Sequence, residues 1–253
     1  MFDATPVQVG RVVACWDARE CRVESTDHLP PGQYASNVFP RFGLGGFAFR
    51  FPSDVENIDI TVGGEVGSPL SIHRELFESL HRRDQVSDFH CVTTWTKEAV
   101  RWSGVLFRDL YEQVILPASR PEPAASLVIL RSQDGYSQTL PLEDLLAPDV
   151  LIADRLDETP LAVAHGAPVR LVAPAHYGYK NVKHLNAIEF RRDRSHYRFA
   201  SFKFMDHPRA RVALEERGLG VSPLVLRRIY PYLIRPVAWL FQAALDRHER
   251  LGR

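Results

Sequence analysis

Cys91 is the residue of this sequence whose type and surroundings most clearly suggest chemistry. It follows Phe89-His90 and precedes Val92-Thr93-Thr94-Trp95, a run of β-branched and aromatic residues that predicts a buried strand. A lone buried cysteine usually serves only as a small apolar side chain. A reactive cysteine needs a metal ion or nearby cations to stabilise its thiolate. The candidate cations in the sequence are Lys97, Arg101, Arg131, Arg170, Lys180 and Lys183.

A second segment has the composition of an anion-binding loop. It begins at His165-Gly166-Ala167-Pro168, passes Arg170 and ends at Tyr177-Gly178-Tyr179-Lys180-Asn181-Val182-Lys183. Glycines let backbone N–H groups come close to a ligand, and Arg and Lys side chains add positive charge. The segment therefore predicts a phosphate-binding site. The competing interpretation is two strands joined by a turn, with lysines that only extend toward solvent.

The composition is that of an ordinary globular protein. Of the 253 residues, 45% are hydrophobic and 25% are charged, and 31 Lys+Arg balance 31 Asp+Glu. A chain of this length forms one large domain or two small ones around a buried core. A net charge of zero argues against nucleic-acid binding, because affinity for phosphates comes from excess Lys and Arg.

The charge is nevertheless uneven along the chain. From residue 191 to residue 253 there are 14 Lys+Arg against 6 Asp+Glu. This excess predicts either a solvated basic tail or a docking surface for an acidic partner or an anionic membrane. No transmembrane segment is expected, because the most apolar stretch, residues 224–245, contains three arginines and two prolines. An interfacial helix remains an alternative for that stretch.

The three cysteines, Cys15, Cys21 and Cys91, do not form the dense framework of a secreted disulfide protein. Cys15 and Cys21 lack zinc-knuckle spacing and are interpreted as structural. The first residues show neither a basic nor an apolar leader region, so we expect a cytoplasmic location.

The predicted secondary structure mixes short strands with short helices in no regular alternation, which indicates an α+β domain. Residues 26–50 are rich in Pro, Gly and aromatic side chains and predict a long ordered loop. The predicted strands are 58–62, 89–95, 127–130, 161–164, 169–173 and 182–190. The predicted helices are 70–82, 107–115, 140–146 and, with interruptions, the final fifty residues, and a turn is predicted at 102–105.

Two of these segments resemble, in the same order, those of a known family. Asp88–Trp95, followed by Arg101-Trp102-Ser103-Gly104-Val105, resembles the metal-cysteine segment of the sulfite oxidase-like molybdopterin-dependent oxidoreductases. Residues 166–174 and 177–183 are similar to the segment of that family that holds the cofactor phosphate. The resemblance extends roughly over residues 35–190. Within the family, the sequence resembles the small single-domain branch that includes the catalytic subunit of protein-methionine-sulfoxide reductase. It predicts an N-terminal segment (1–34), an oxidoreductase domain (35–198) and a basic, mainly helical C-terminal extension (199–253).

The resemblance implies a sulfite oxidase-type fold, a Mo-molybdopterin cofactor and a role for each matching residue. It makes Cys91 a thiolate ligand of molybdenum, which suits a soft sulfur donor, and gives Tyr136 and Arg41 places in the catalytic pocket. The implied cofactor contacts are Asn37, Pro40, Arg41, Cys91, Ser132, His165, Arg170, Asn181, Val182 and Lys183. His165 replaces an Asn of the related reductase. The arginines that bind sulfite in sulfite oxidases have no secure match here, and Arg41, Arg101 and Arg131 are the candidates.

These roles predict two-electron oxygen-atom transfer on an S-oxide, an N-oxide or a sulfite-like small substrate, with the cofactor carrying the chemistry. The resemblance favours reduction. No heme-attachment or dinucleotide-binding motif occurs, so we expect a separate electron-transfer partner, either a protein or a quinone. Two alternatives stay open. One is a cofactor-less binding module with the same fold, and the other is a thiol hydrolase that pairs Cys91 with His165 or His176.

Overall fold

A computed structural model describes residues 28–252, and its regular elements are short strands and short helices in about equal number, apart from one long C-terminal helix. The strands are β1 (Tyr34–Ala35), β2 (Asp59–Gly64), β3 (Leu70–His73), β4 (Arg82–His90), β5 (Trp95–Leu106), β6 (Leu127–Ser132), β7 (Ser137–Pro141), β8 (Leu151–Leu156), β9 (Thr159–Pro160), β10 (Arg170–Val172) and β11 (Leu185–Arg191). The α-helices are α1 (Arg74–Glu78), α2 (Phe107–Leu110), α3 (Leu116–Ser119), α4 (Leu142–Leu145), α5 (Pro223–Ile229) and α6 (Pro231–Arg250). A π-helical turn, Tyr111–Ile115, joins α2 to α3, and short 3-10 helices occur at Gly45–Phe47, Val163–His165, Gly178–Lys180 and Lys203–Met205.

The strands form two sheets. One follows the order β1-β5-β8-β10, with β4 also paired to β5 and β9 to β8. The other follows the order β3-β2-β11-β6-β7. Among the strands of residues 28–252, β1 with β5 and β2 with β11 are parallel, and the other pairs are antiparallel. These mixed sheets with short helices confirm the predicted α+β class.

Both sheets contribute to one main core. Ile60 and Ile188 of one sheet and Val105 and Ile152 of the other belong to the same buried cluster. Burial of such side chains removes apolar surface from water, and this is the main term that holds the two sheets together. The shared core fixes the strand ends and loops from which the site is built.

The largest correction concerns the Cys91 segment. The predicted strand 89–95 is wrong, because β4 ends at His90 and residues 91–94 form the turn into β5. The predicted turn at 102–105 is also wrong, since these residues lie inside β5. Gly104 does not provide a turn there but lets β5 approach β8 closely: a Cβ at Gly104 would lie 2.1 Å from the carbonyl oxygen of Ile152.

Other predicted boundaries change because tertiary pairing overrides local preference. Residues 70–82 form β3 and α1 and reach the start of β4. Of the strand predicted at 161–164, residues 161–162 are irregular and residues 163–164 belong to the 3-10 helix Val163–His165. The helix predicted at 107–115 continues past Pro117 to Ser119, and the helix predicted at 140–146 is only Leu142–Leu145. The loop at 26–50 is confirmed over its described part except for β1, and the strands near 58–62, 127–130, 169–173 and 182–190 are confirmed.

The last part of the described chain is helical only from residue 223 onward. Residues 200–222 are irregular apart from Lys203–Met205. Ile234 packs with Cys91 and Trp95, and Phe241 packs with Phe47, so α6 lies against the segment around Cys91 and the 3-10 helix Gly45–Phe47. Among residues 28–252, no helix combines the length and the apolar character needed to cross a membrane. The predicted structural roles of Cys15 and Cys21 lie outside the described residues.

Candidate active site

Cys91 occupies the turn between β4 and β5, and backbone hydrogen bonds hold it there. Its N–H donates to the Trp95 carbonyl (2.8 Å), and the Thr94 N–H donates back to the Cys91 carbonyl (3.1 Å). Thr94 adopts a left-handed conformation with φ 87°, which closes the turn. Gln33 donates its side-chain amide to the Cys91 carbonyl (3.2 Å). The thiol is therefore presented from a backbone that several contacts position.

The surroundings of Cys91 keep its sulfur protonated unless a cation binds. Burial raises the pKa of the Cys91 thiol to about 11, and the Thr93 hydroxyl and the charges of Arg217 and Lys183 oppose that rise. The Sγ lies 3.1 Å from the Thr93 Oγ1. A metal ion bound directly to the sulfur would supply the charge needed to form the thiolate.

Cys91 lines a cavity of about 620 Å³. Four parts of the chain surround this cavity: the loop from Phe39 to Phe47, the Cys91 turn with residues 178–184, the segment 132–136, and the C-terminal segment from residue 200 onward. The C-terminal segment contributes mainly apolar side chains, namely Phe202, Phe204, Met205, Leu226, Ile229, Leu233, Val237 and Phe241. One side of the cavity is therefore polar and holds the thiol, and the other is apolar.

The polar side carries a buried cation and an unsatisfied hydroxyl. Lys183 donates to the Ala164 carbonyl (2.8 Å), and burial together with the charges of Arg170 and Arg41 holds its pKa well below the usual range. Within residues 28–252, no carboxylate forms an ion pair with Lys183. The Ser132 Oγ is buried and lacks a hydrogen-bond partner. Buried groups of this kind are stabilised by an anionic or polar ligand.

The predicted site residues fall into two sets. Those that line the cavity are Pro40, Arg41, Cys91, Ser132, Tyr136, Asn181 and Lys183. Those that lie outside its lining are Asn37, His165, Arg170 and Val182. Asn37 is exposed and Val182 belongs to the main core. Burial lowers the pKa of His165 to about 3, and the positive charges of Lys183 and Arg170 lower it further.

Arg170 acts as an internal support for the polar side. Its guanidinium is fully buried and donates to the carbonyls of His165 (3.0 Å) and Asn181 (3.3 Å). It also lies 4.9 Å from the ring centroid of Trp102. Burial lowers the Arg170 pKa to about 9. These contacts position Asn181, whose side chain in turn accepts the Ala173 N–H (2.7 Å).

Arg41 and Tyr136 line the cavity with groups that already have partners. Arg41 donates to the carbonyls of Ala48 (2.6 Å) and Arg50 (2.7 Å), which holds the 39–47 loop closed. Tyr136 donates its hydroxyl to the Tyr179 carbonyl (2.7 Å), and burial raises its pKa. Both residues therefore shape the wall, and Arg41 is not a free cation for a substrate anion.

The candidate sulfite-binding arginines are not brought together. Arg101 is exposed and lies 3.5 Å from Glu158, and Arg131 pairs with Glu189 at 2.5 Å in the other sheet. Neither lines the cavity. The cavity therefore lacks, within the described residues, the arginine cluster that recognition of a small oxyanion requires.

Sequence reasoning missed three residues of the site. Thr93 contacts the thiol, and His184 lines the cavity while its Nδ1 lies 2.5 Å from the Ala167 carbonyl. Arg217 is fully buried and donates to the Val92 carbonyl (2.8 Å) beside Cys91. His184 directly follows the Asn181–Lys183 segment and Thr93 belongs to the cysteine segment, so both had a local signal. Arg217 had none, because it lies far from Cys91 in sequence.

Much of the chain that forms the site matches a known protein family. Residues 48–199, more than half of the chain, match the family model described as the oxidoreductase molybdopterin binding domain. The chain belongs to this family. Membership confirms the predicted fold, the predicted enzyme class, a molybdopterin-dependent oxidoreductase, and the predicted Mo-molybdopterin cofactor. The individual contacts of each site residue with the cofactor stay predictions.

Two curated relatives agree with this assignment. The chain is 30% identical over 170 residues to an uncharacterized oxidoreductase, YuiH, of Bacillus subtilis, which covers 67% of this chain and 82% of the relative. It is 28% identical over 153 residues to the protein-methionine-sulfoxide reductase catalytic subunit MsrP of Campylobacter jejuni, covering 55% of this chain and 51% of the relative. The chain thus spans about half the length of that relative. The crystal structure of the sulfane dehydrogenase SoxCD from Paracoccus pantotrophus aligns with a TM-score of 0.48 and 19% identity, over 60% of this chain and 43% of that chain.

Proposed function

We propose that the protein reduces a neutral, partly apolar S-oxide or N-oxide by two-electron oxygen-atom transfer, with Cys91 as the protein ligand of molybdenum. The observation that carries the proposal is the position of Cys91. It is the one cysteine of the described residues, it is buried, and it lines the cavity together with a buried lysine. When bound, the molybdenum cofactor supplies the redox centre that exchanges an oxygen atom with the substrate.

The residues present fit this cofactor. Cys91 offers a soft sulfur donor whose thiolate a metal ion would stabilise. Lys183 offers a positive charge, and Ser132 offers a hydroxyl with no partner, for the anionic and polar parts of the pterin. An anion beside Lys183 would also stabilise its charged form, which burial otherwise disfavours. The other proposed contacts are Pro40, Asn181 and His184.

The substrate class follows from the apolar side of the cavity. Phe202, Phe204 and Leu226 face the space that Cys91 also lines. Apolar side chains recognise an alkyl or aryl group and exclude water from the reacting atoms. A sulfite ion would need cations that Arg41, whose guanidinium is already hydrogen-bonded to backbone carbonyls, does not offer. The MsrP relatives are named for a sulfoxide substrate, which supports the direction of reduction.

The thiol-hydrolase alternative has less support. Within residues 28–252, the hydrogen-bond partner of the Cys91 sulfur is Thr93, and no histidine takes that place. His184 lines the cavity, but its Nδ1 is bonded to the Ala167 carbonyl and burial lowers its pKa to about 4. A thiol with a pKa near 11 and no base beside it is a poor nucleophile. The electron donor, a protein or a quinone, and the cytoplasmic location remain predictions.

The test uses protein from a host that makes the cofactor. Molybdenum is measured by inductively coupled plasma mass spectrometry and pterin by fluorescence after oxidation, for wild type, Cys91→Ser and Cys15→Ser. Reduction of methyl phenyl sulfoxide by reduced viologen and oxidation of sulfite are measured on the same samples. We expect near-stoichiometric molybdenum and sulfoxide reduction in wild type and in Cys15→Ser, and a loss of at least a hundredfold in turnover in Cys91→Ser.

Each component of the proposal has its own contrary result. Full turnover in Cys91→Ser would refute the ligand role. Sulfite oxidation much faster than sulfoxide reduction would refute the substrate class. Protein that carries no molybdenum and no pterin would instead favour the binding module, and activity of metal-free protein that a thiol alkylator blocks would favour the hydrolase.

A further inference from the structure

The C-terminal helices expose several large apolar side chains. The exposed residues of α5 and α6 include Leu224, Val225, Ile229, Tyr232, Leu233 and Trp239. Tyr232 is 83% and Trp239 72% exposed. Most large apolar residues of a globular protein are at least partly covered, and a cluster of this size marks an interaction surface.

This surface reaches the mouth of the cavity. Phe202, Phe204, Ile229 and Leu233 are exposed and also line the cavity. We name these four residues the apolar rim. Because the same side chains face both the outside and the cavity, the exposed surface of α5 and α6 leads directly to the space that contains Cys91.

From the start of α5 to Leu245 the charged residues of the helices have a single sign, and the acidic residues Asp246 and Glu249 follow in the last residues of α6. Between Pro223 and Leu245 the chain contains Arg227, Arg228 and Arg235 and no Asp or Glu. All three arginines are exposed. Long arginine side chains can place their charge among lipid headgroups while their stems lie along apolar surface. An aromatic and aliphatic face flanked by arginines is typical of a helix that lies in the interface of an anionic bilayer.

We propose that α5 and α6 dock on the surface of an anionic lipid bilayer, with the apolar rim facing the lipid. Tyr232 and Trp239 enter the headgroup region, where amphipathic aromatic rings are favoured, and the arginines contact lipid phosphates. Docking in this orientation opens the cavity toward the membrane, so an apolar molecule dissolved in the bilayer can reach it without crossing water. The helices lie on the membrane and do not cross it, in agreement with the absence of a spanning helix from the described part of the chain.

The test measures sedimentation of the full-length protein with lipid vesicles. Vesicles of phosphatidylcholine alone are compared with vesicles made of equal parts of phosphatidylcholine and phosphatidylglycerol, at low and at high salt. We expect strong binding only to the anionic vesicles, weakened by salt because surface charge is screened. The variant Tyr232→Ser/Trp239→Ser should lose at least about tenfold in partitioning, because it removes both amphipathic aromatic rings that enter the headgroup region. Arg228→Glu should weaken binding to the anionic vesicles alone.

A matched control removes apolar side chains from elsewhere. Val86 in β4 and Leu116 in α3 are also exposed, and neither lines the cavity. The variant Val86→Ser/Leu116→Ser should bind vesicles as wild type does, and circular dichroism and thermal unfolding confirm that all variants are folded.

Four results would overturn the proposal. The first is no binding to anionic vesicles at low salt. The second is unchanged binding of Tyr232→Ser/Trp239→Ser. The third is a dimer in analytical ultracentrifugation that the same variant abolishes, which would make a second copy of the chain the occupant. The fourth is vesicle binding that appears only after removal of residues 1–27, which would make that segment the occupant of the surface.

Discussion

Arg217 connects the C-terminal segment to the Cys91 turn, and its replacement tests that connection. The fully buried guanidinium donates to the carbonyls of Val92 (2.8 Å), Pro31 (3.0 Å) and Gly32 (3.0 Å). It also lies 3.3 Å from the Glu215 carboxylate. One charged side chain thus joins three segments that are distant in sequence.

The expected cost of Arg217→Met follows from these contacts. A hydrogen bond from a charged donor contributes about 1.5–3 kcal/mol, but water can replace the donor at the exposed Pro31 and Gly32. The Val92 carbonyl loses its guanidinium partner without that compensation, and the partly buried Glu215 carboxylate is left with the more distant Arg227, at 3.8 Å. We expect the free energy of unfolding to fall by about 2–4 kcal/mol, which lowers Tm by about 10 °C in a protein of this size. Arg217→Lys keeps the charge but not the fork of donors and should fall in between.

Thermal and urea unfolding measure this loss, and Arg198→Met is the matched control. Arg198 is exposed, so its replacement should change the free energy of unfolding by no more than about 0.5 kcal/mol. If Arg217→Met were no less stable than Arg198→Met, the three carbonyls would not depend on the guanidinium, and the proposed link between the C-terminal segment and the Cys91 turn would be refuted.

Two further predictions follow from the backbone and from a buried histidine. Gly104→Ala should cost about 3 kcal/mol in urea unfolding because its Cβ would meet the Ile152 backbone, whereas Gly63→Ala, whose Cβ would meet nothing within 4 Å, should be nearly neutral; equal stability of the two variants would contradict this account. Burial lowers the His184 pKa to about 4, below the unfolded value of 6.5, so its neutral form stabilises the fold above pH 6.5 and that contribution is lost as the pH falls toward 4. The test compares cofactor-free wild type with His184→Asn, which can still donate to the Ala167 carbonyl. Between pH 7 and pH 4 the free energy of unfolding of the variant should fall by about 1–3 kcal/mol less than that of wild type, and an equal fall in both proteins would contradict the lowered His184 pKa.

The family and the chemical character of the site could be predicted from the sequence, because both depend on short segments. Cys91 and the run from Asn181 to Lys183 keep a recognisable spacing, and the strands near 58–62 and 127–130 follow local β preference. The mixture of short elements indicated the α+β class, and the resemblance of the two segments to a known family implied the enzyme class and the cofactor. They also placed seven of the predicted site residues on the cavity wall.

Only the tertiary structure decided how these segments meet. The apolar sequence around Cys91 suggested a strand, but pairing of β4 with β5 makes it a turn, which presents the thiol to the cavity. Gly104 resembles a turn residue locally, yet its role is the close approach of β8. Arg217 and the apolar side of the cavity come from the C-terminal segment, whose contacts with the Cys91 turn bridge more than a hundred residues. Periodicity and motif spacing describe neighbours along the chain, whereas burial, pKa and cavity shape depend on neighbours in space, and those exist only once the chain has folded.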